Sequence, residues 1–192
     1  MNQPSLFGED PTRGAEISTC GLYRYRLWRT WDAANPSRVA FIMLNPSTAD
    51  ATANDPTLRR CIDFAQRWGH GGLEVVNLFP FRAADPKEML RQSREVAVGG
   101  PENEEAIRGA VRRCHLLVAA WGTKGSKWGR DVEVLRLLRG LGAPLFCPHC
   151  GDEVIEPEGS QGEEDCARCK EPFRWVRHDW GFSTRPITED TR

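Results

Sequence analysis

The sequence predicts an α/β fold, a three-layer sandwich in which helices cover both faces of a central, mostly parallel four-stranded sheet. Two observations lead to this prediction. Short apolar runs that suit buried strands alternate along the chain with longer segments of helical periodicity, an order typical of parallel sheets. The chain has 192 residues, 40% of them hydrophobic, which is enough for one ordinary domain with a small appendage.

The strands and helices follow from local signals taken in order along the chain. Residues 21–31 alternate aromatic or aliphatic side chains with arginine, as expected for a strand with one face in water. Buried strands are predicted from the apolar runs at 39–44, 73–79, 115–121 and 143–147. Asp55 and Asp85 each precede a proline, the N-cap pairing that begins a helix. Further helices are predicted over residues 103–114 and 129–142.

Four of the seven cysteines form two Cys-x-x-Cys pairs that are separated by 15 residues. The pairs are Cys147 with Cys150, and Cys166 with Cys169. This spacing is typical of a zinc ribbon, in which each pair supplies two thiolates to one tetrahedral ion. Four sulfurs leave no open position for a substrate, so we predict a structural Zn²⁺.

The domain boundaries follow from this cysteine pattern. We predict a flexible N-terminal tail, an α/β domain, an inserted zinc ribbon and a C-terminal return segment with its tail, over residues 1–14, 15–146, 147–172 and 173–192. Between Cys147 and Cys169 seven acidic residues stand against one basic residue, a net charge of −6 in a chain whose total is −1. The remaining residues therefore carry a net charge of +5, which suits a nucleic-acid or nucleotide partner better than the ribbon does.

The sequence predicts a cytoplasmic protein without a membrane partner. No apolar stretch reaches the roughly 18 residues that a membrane-spanning helix needs. The N-terminal residues lack the basic flank and the apolar run of a signal peptide. Paired cysteines in such a chain indicate metal binding rather than disulfides.

Three loops should converge at one edge of the sheet, because the carboxyl ends of parallel strands share an edge. These loops and the ends of their strands carry amides, carboxylates, cations and aromatic rings, and the residues of this inventory are Asn45, Pro46, Ser47, Asp50, Asp55, Asn77, Phe79, Phe81, Arg82, Lys124, Lys127 and Arg130. Cations suit phosphate, amides suit a base edge and aromatic rings suit stacking. This inventory fits a nucleotide and also fits other small anions.

Four segments carry a resemblance to a known family. They read CGLYRYRLWRTWD, FIMLNPSTADATANDPTLRRC, WGHGGLEVVNLFPFRAADP and VAAWG. They are similar to hallmark segments of a bacterial and phage family catalogued as domain of unknown function 1643, over roughly residues 18–146. Near the C-terminus, Arg177 and His178 match an Arg-His pair of that family, although the proline that follows the pair there is missing here.

A more distant resemblance, to the uracil-DNA glycosylase superfamily, implies a mechanism. It rests on the order of MLNP, VVNLFPFR, LLVAAWG and a late histidine. It implies that Asn45 or Asp50 handles the attacking water, that Asn77 reads the base, and that His178 stabilises the departing base. Stacking on the extruded base would fall to Phe79 or Phe81.

These observations lead to a hypothesis with two alternatives. The hypothesis is recognition of a nucleic-acid base or nucleotide at the carboxyl edge of the sheet, with N-glycosidic bond hydrolysis in DNA repair or modification as the candidate reaction. The first alternative is a non-catalytic nucleotide or nucleic-acid-binding module that contains a structural zinc ribbon. The second is a different nucleotide-processing enzyme on the same scaffold.

The N-terminal tail contains one candidate partner motif. Gln3 to Phe7, in the sequence QPSLF, resembles the Gln-x-Ser/Asp-Leu-Phe peptide that bacterial replication proteins dock into the sliding clamp. Such a peptide would place Leu6 and Phe7 in an apolar pocket of the clamp. A mobile tail with incidental apolar residues is the alternative interpretation.

Overall fold

A five-stranded sheet organises the first of the two units into which the chain divides, Met1–Val132 and Glu133–Arg192. The computed structural model describes residues 12–47 and 49–142 and, as strands only, residues 161–165, 172–178 and 181–186. The strands of the first unit are β1 (Arg13–Ile17), β2 (Arg24–Thr30), β3 (Arg38–Met43), β4 (Gly72–Asn77) and β5 (Leu116–Ala120). Their order across the sheet is β1-β2-β4-β3-β5.

Strands β4, β3 and β5 run parallel to one another, and β3 lies between the other two. β5 forms one edge of the sheet. Met43 at the end of β3 is in register with Asn77 of β4 and with Ala120 of β5. The three carboxyl ends therefore lie level at one edge. β2 pairs antiparallel with β4, and β1 pairs antiparallel with β2.

The α/β class is confirmed, but the predicted four-stranded sheet is wrong in its strand count. Two antiparallel strands extend the sheet beside β4, and the first of them, β1, was not predicted. β1 has only five residues, RGAEI, and its mostly exposed edge position leaves no apolar alternation to detect. β1 includes residues 13 and 14, which were predicted to belong to the flexible N-terminal tail. The predicted strand at 143–147 lies outside the described residues.

Four of the five helices were predicted, and α1 and α2 begin directly after their predicted N-caps. They are α1 (Pro56–Arg67), α2 (Pro86–Leu90), α3 (Arg94–Val98), α4 (Pro101–Arg113) and α5 (Arg130–Gly140). Asp55 caps α1 by accepting from the Leu58 N–H at 2.7 Å, and Asp85 caps α2 by accepting from the Lys87 N–H at 2.9 Å. Both predicted caps are confirmed. α3 and a 3-10 segment at Thr123–Gly129 were not predicted, because segments of five and seven residues are too short to display helical periodicity.

Helices α1 and α4 pack on opposite faces of the sheet, as the contacts of successive β4 side chains show. Leu73 and Val75 belong to the apolar cluster that includes the buried residues of α1. Glu74 lies between them and accepts hydrogen bonds from Arg113 of α4. Since successive side chains of a strand point to opposite faces, the two helices cover different faces. All six residues of β4 are buried as a result.

The second unit contains a three-stranded antiparallel sheet. Its strands are β6 (Gln161–Asp165), β7 (Pro172–His178) and β8 (Gly181–Pro186), in the order β6-β7-β8. Asp165 pairs with Pro172, so the segment that connects β6 to β7 contains Cys166 and Cys169. The four predicted zinc ligands and the segment Gln3 to Phe7 lie outside the described residues. None of the helices in the described part of the chain is long and apolar enough to cross a membrane.

Candidate functional site

A cleft opens at the carboxyl ends of β3 and β4, where the sequence places its candidate binding residues. Its volume is about 240 Å³. Its polar lining residues are Arg24, Asn45, Ser47, Asp55, Thr57 and Asn77, and its apolar lining includes Leu27, Met43, Leu44, Leu58, Val75 and Ala120. Pockets for drug-sized ligands usually span about 300 to 1,000 Å³, so this cleft suits one ring system better than a whole nucleotide.

Arg24, at the start of β2, is a buried cation in the wall of this cleft, and its side chain is only 4% exposed. Its Nη1 donates to the carbonyl of Ala49 at 2.7 Å, and its Nη2 donates to Oδ1 of Asn77 at 3.4 Å. Its Nε is buried without a hydrogen-bond partner among the described residues. Burial lowers the pKa of Arg24 to about 10 against the opposing effect of the Asp55 charge. The guanidinium is therefore still charged at neutral pH.

Asn77, the last residue of β4, presents a fixed hydrogen-bond donor. It is 1% exposed, and its Nδ2 has no partner in the described part of the chain. A guanidinium can only donate, so Arg24 holds the amide with Oδ1 toward itself. Asn103 of α4 supports the strand end by donating Nδ2 to the carbonyls of Asn77 and Leu78, each at 3.1 Å. Arg24 of β2 thus orients the Asn77 amide, and Asn103 of α4 holds the backbone that carries it.

Ser47 and Asp55 bring a hydroxyl and a carboxylate together in the cleft. The Ser47 hydroxyl donates to Oδ2 of Asp55. Oδ1 of Asp55 accepts from the Leu58 N–H at 2.7 Å in the N-cap of α1. A helix N-terminus favours negative charge, so the cap also stabilises the carboxylate. The sequence predicts Asp55 first as a cap and only second as a residue of the binding edge, because its place in the cleft depends on how the loop folds.

Asn45 contributes an acceptor to the same cleft. Its Nδ2 donates to the carbonyl of Pro46 and to the carbonyl of Ala83, each at 3.0 Å. Both amide hydrogens are therefore committed to the protein, and Oδ1 is the group that Asn45 can offer to a ligand. Pro46 itself is buried.

Asp50 takes a structural place in the loop rather than a place in the lining of the cleft. Its Oδ1 accepts from the Thr52 N–H and from the Ala53 N–H, each at 2.8 Å. Those backbone hydrogen bonds lower the pKa of Asp50. Arg29 of β2 donates to the Asp50 carbonyl at 2.7 Å and to Oδ1 of Asn54 at 2.9 Å, so the loop is tied to the sheet.

The expectation of a wet, arginine-bearing face on β2 is wrong for two of its arginines. Arg24 and Arg29 are buried, because carbonyls of the loop after β3 accept their hydrogen bonds. No local pattern distinguishes them from Arg26 of the same strand, which is partly exposed. Arg24 is accordingly a charged cleft residue that no signal in the sequence identified.

Phe79 and Arg130, two of the predicted binding residues, are buried in the protein interior and do not line the cleft. Phe79 is fully buried and meets the ring of Trp128 edge to face, with 5.7 Å between centroids. Arg130 is 2% exposed and donates Nε to the carbonyl of Leu78 at 3.1 Å. Neither is among the described residues that line the cleft.

Phe81 and Arg82 lie on the loop after β4. The Phe81 ring contacts that of Tyr23 edge to face, with centroids 6.3 Å apart. Arg82 donates Nη1 to the carbonyl of Gly21 at 2.9 Å. Their loop reaches the cleft through the next two residues, Ala83 and Ala84.

Lys124 and Lys127 are not among the described residues that line the cleft, and His178 belongs to the other unit. Lys124 and Lys127 are exposed in the 3-10 segment, and Lys127 Nζ lies 4.9 Å from the centroid of the Trp128 ring. His178 ends β7 in the second unit. Within the described residues there is no group of three or more His, Cys, Asp or Glu side chains placed to hold a metal ion.

Comparison with known proteins identifies a family. No curated protein and no solved structure matches the chain. The model of the family described as Protein of unknown function (DUF1643) matches residues 24–154, more than half of the chain. This confirms the nearer of the two resemblances, and the matched range contains β2 to β5 and every polar residue that lines the cleft. The protein therefore belongs to the DUF1643 family.

Proposed function

We propose that the cleft binds a nucleobase, alone or within a nucleotide or nucleic acid. The observation that carries this proposal is the Nδ2 of Asn77, a buried donor without a partner among the described residues, on a residue that lines the cleft. An unsatisfied buried donor costs about 1–3 kcal/mol. A ligand acceptor in the cleft would remove that cost.

The size and lining of the cleft support a flat heterocycle. A volume of about 240 Å³ with mostly apolar walls suits an aromatic ring, which buries its faces and keeps polar groups at its edge. The polar groups of the cleft are few and lie at the end of the parallel strands, where open α/β sheets bind their ligands. This position also fits the proposed likeness to uracil-DNA glycosylases.

N-glycosidic hydrolysis is the candidate reaction at this site. Water would attack the sugar carbon while the bond to the base breaks, and negative charge would develop on the departing base. Arg24 lines the cleft and could stabilise that charge, since a fixed cation acts strongly where water is excluded. Asp55 is the carboxylate that lines the cleft, so it is the candidate to activate the attacking water. Stabilisation of the departing base by His178 remains a proposal from the resemblance.

One observation favours a binding module without hydrolysis. The two carboxylate oxygens of Asp55 already accept from Ser47 and from the Leu58 N–H. Asp50 is held in its turn by the Thr52 and Ala53 N–H groups. Each Asp55 oxygen keeps a second lone pair for an attacking water, but these contacts also give both aspartates a structural role that does not require turnover. Base recognition without turnover is therefore the second candidate function.

A structural zinc ribbon belongs to the same proposal. Its support is the cysteine spacing together with the β6–β7 hairpin, whose connecting segment contains Cys166 and Cys169. Hairpin turns are where zinc ribbons place such pairs. Cys147 and Cys150 would complete the four ligands, and the ion would stabilise the second unit without taking part in the chemistry.

The test of the proposal is a search for released base and for retained ligand. The protein is incubated with single- and double-stranded DNA and RNA that carry normal, deaminated and phage-type modified bases, and free base is detected by mass spectrometry. Release that is lost in Asn77→Ala and kept in Gln66→Ala, an exposed amide of α1, would support hydrolysis. Retention without release would support the binding module. Unchanged ligand affinity in Asn77→Ala would contradict the assignment of the cleft.

A further inference from the structure

We infer that a patch of apolar and aromatic side chains beside the cleft binds a single-stranded nucleic acid, by stacking the bases that neighbour the base in the cleft. The inference rests on the proposed function and extends recognition from one base to a strand. The patch consists of Leu22, Tyr23, Tyr25 and Phe81, and it is called the rim patch below.

The rim patch lies at the edge of the sheet where the cleft opens. β2 runs antiparallel to β4, so the turn between β1 and β2 lies at the carboxyl end of β4. The Arg24 N–H donates to the carbonyl of Pro80 at 3.0 Å, and the Arg82 N–H donates to the carbonyl of Leu22 at 2.9 Å. These hydrogen bonds join the start of β2 to the loop after β4. Since Arg24 and Ala83 line the cleft, the patch is continuous with the cleft wall.

The rim patch presents apolar surface to water. Leu22 is 51% exposed, and Ile17, on the other side of the same turn, is 37% exposed. Tyr23, Tyr25 and Phe81 are half-buried. Tyr23 stacks on Tyr25 with 6.1 Å between ring centroids and meets Phe81 edge to face at 6.3 Å. Neighbouring large apolar side chains that stay exposed together are typical of a binding surface.

The charges around the rim patch favour a phosphate backbone. Residues 17–25 and 80–84 contain two arginines and no aspartate or glutamate. Arg82 donates Nη1 to a backbone carbonyl of the turn at 2.9 Å, which holds its charge beside the patch. Burial and the charge of Glu102 raise the pKa of Tyr25, so its hydroxyl stays protonated and adds no negative charge. Aromatic rings beside cations are the combination that binds single strands.

A single strand fits this arrangement better than a duplex or a free nucleoside does. In a duplex the bases on both sides of the target stack within the helix, so their faces are not available to protein rings. A nucleoside fills a cleft of about 240 Å³ and leaves the rim patch without a ligand. In a single strand the neighbouring bases can stack on the patch whatever their sequence, because every base has a π face.

The experiment compares three oligonucleotides of about 10 nucleotides, a length within the usual range of single-strand sites, by fluorescence anisotropy. The first is single-stranded, the second is the same strand annealed to its complement, and the third keeps one base and is abasic at every other position. The third strand retains the phosphates and a base for the cleft. We expect the second and third to bind roughly 5- to 150-fold more weakly than the first, the effect of one lost stacking contact.

A change at Tyr25 tests the stacking directly. Tyr25→Leu removes the ring and keeps apolar bulk, so the single strand should bind roughly 5- to 150-fold more weakly, whereas Tyr25→Phe should keep its affinity. Phe64→Leu is the matched control, because Phe64 is a 37% exposed ring on α1 that is not part of the rim patch. The affinity for a nucleoside should be unchanged in all three variants, since neither residue is among the described residues that line the cleft.

The outcomes separate this inference from the proposed function. Equal binding of the complete single strand and the strand with one base would overturn the inference and leave base binding in the cleft intact. Equal or tighter binding of the duplex would overturn it in the same way. Nucleoside binding without binding of any oligonucleotide would overturn it and assign the rim patch to a protein partner. Loss of nucleoside binding as well would overturn the proposed function together with the inference. If thermal melting shows that Tyr25→Leu does not fold, the three oligonucleotides with the unmodified protein still decide.

Discussion

The Nη2 atom of Arg24 lies 3.4 Å from Oδ1 of Asn77, while Nη1 of the same guanidinium donates to the carbonyl of Ala49. One buried side chain from β2 thus connects the end of β4 with the loop that follows β3. The shape of the cleft and the orientation of its amide consequently depend on each other.

Replacement of Arg24 by lysine should therefore weaken both the fold and the site. A lysine keeps the charge but cannot reach the Ala49 carbonyl and the Asn77 amide together, since it lacks the planar fork. We expect Arg24→Lys to lose about 1–3 kcal/mol in the free energy of unfolding, measured with urea, and to bind nucleosides more weakly. Arg59→Lys is the control, because exposed Arg59 also donates to a carbonyl of the same loop, that of Asn54 at 3.0 Å. Equal stability of the two variants would contradict this role.

The two aspartates of the loop after β3 should differ in their effect on turnover. Asp55→Asn keeps a side-chain oxygen that can accept the Leu58 N–H, so the helix cap and ligand binding should survive. If base release uses the Asp55 carboxylate, its rate should fall about 100-fold or more, as for a lost general base. Asp50→Asn should leave the rate unchanged, because Asp50 is engaged by the turn. A larger loss of rate in Asp50→Asn than in Asp55→Asn would instead support the prediction that Asp50 handles the attacking water.

Glu74 should make the stability of the first unit depend on acid pH. Burial alone would raise the pKa of this 1% exposed carboxyl, but hydrogen bonds from Arg113 and Arg26 outweigh burial and lower it. A carboxyl whose pKa is lowered by folding stabilises the folded state above its unfolded pKa of about 4.5, and this stabilisation is lost as the pH falls through the folded value. Urea denaturation from pH 7 to pH 3 should show the loss.

Glu74→Gln supplies the matched comparison for that pH dependence. At pH 7 the variant should be about 1.5–3 kcal/mol less stable, because two arginines lose their hydrogen bonds to a charged acceptor. Below pH 4 its deficit should shrink. Glu16→Gln, which removes an exposed partner of Arg26 at 3.1 Å, should cost less than about 1 kcal/mol. A deficit of Glu74→Gln that does not change with pH would show that packing, rather than charge, explains it.

The zinc proposal makes a stoichiometric prediction. Purified protein should contain one zinc ion per chain, measured by mass spectrometry of the metal, and a chelator should lower its melting temperature. Cys166→Ser should reduce the zinc content, whereas Cys20→Ser should not, since Cys20 lies outside the two Cys-x-x-Cys pairs. Full zinc content in Cys166→Ser would exclude a four-cysteine site of the proposed composition.

Local signals in the sequence were sufficient for the central elements. β3 and β4 are rich in apolar residues because both of their faces are covered, and such segments are visible without any knowledge of their neighbours. Asp55 and Asp85 were identified as caps because a cap interacts with residues two or three positions away. β1 was not predicted, because an exposed edge strand of five residues has neither an apolar run nor a cap.

The sequence by itself determined the α/β class, the central parallel strands and the edge of the sheet at which the cleft lies. Only the tertiary structure decided which polar residues share the cleft. Arg24 and Asn77 are 53 positions apart, and their contact depends on β2 pairing with β4 in one register. Asp50 and Asp55 belong to one loop, yet only Asp55 lines the cleft, because backbone N–H groups hold the other. Contacts between distant segments assign these roles, and no pattern within a single segment records them.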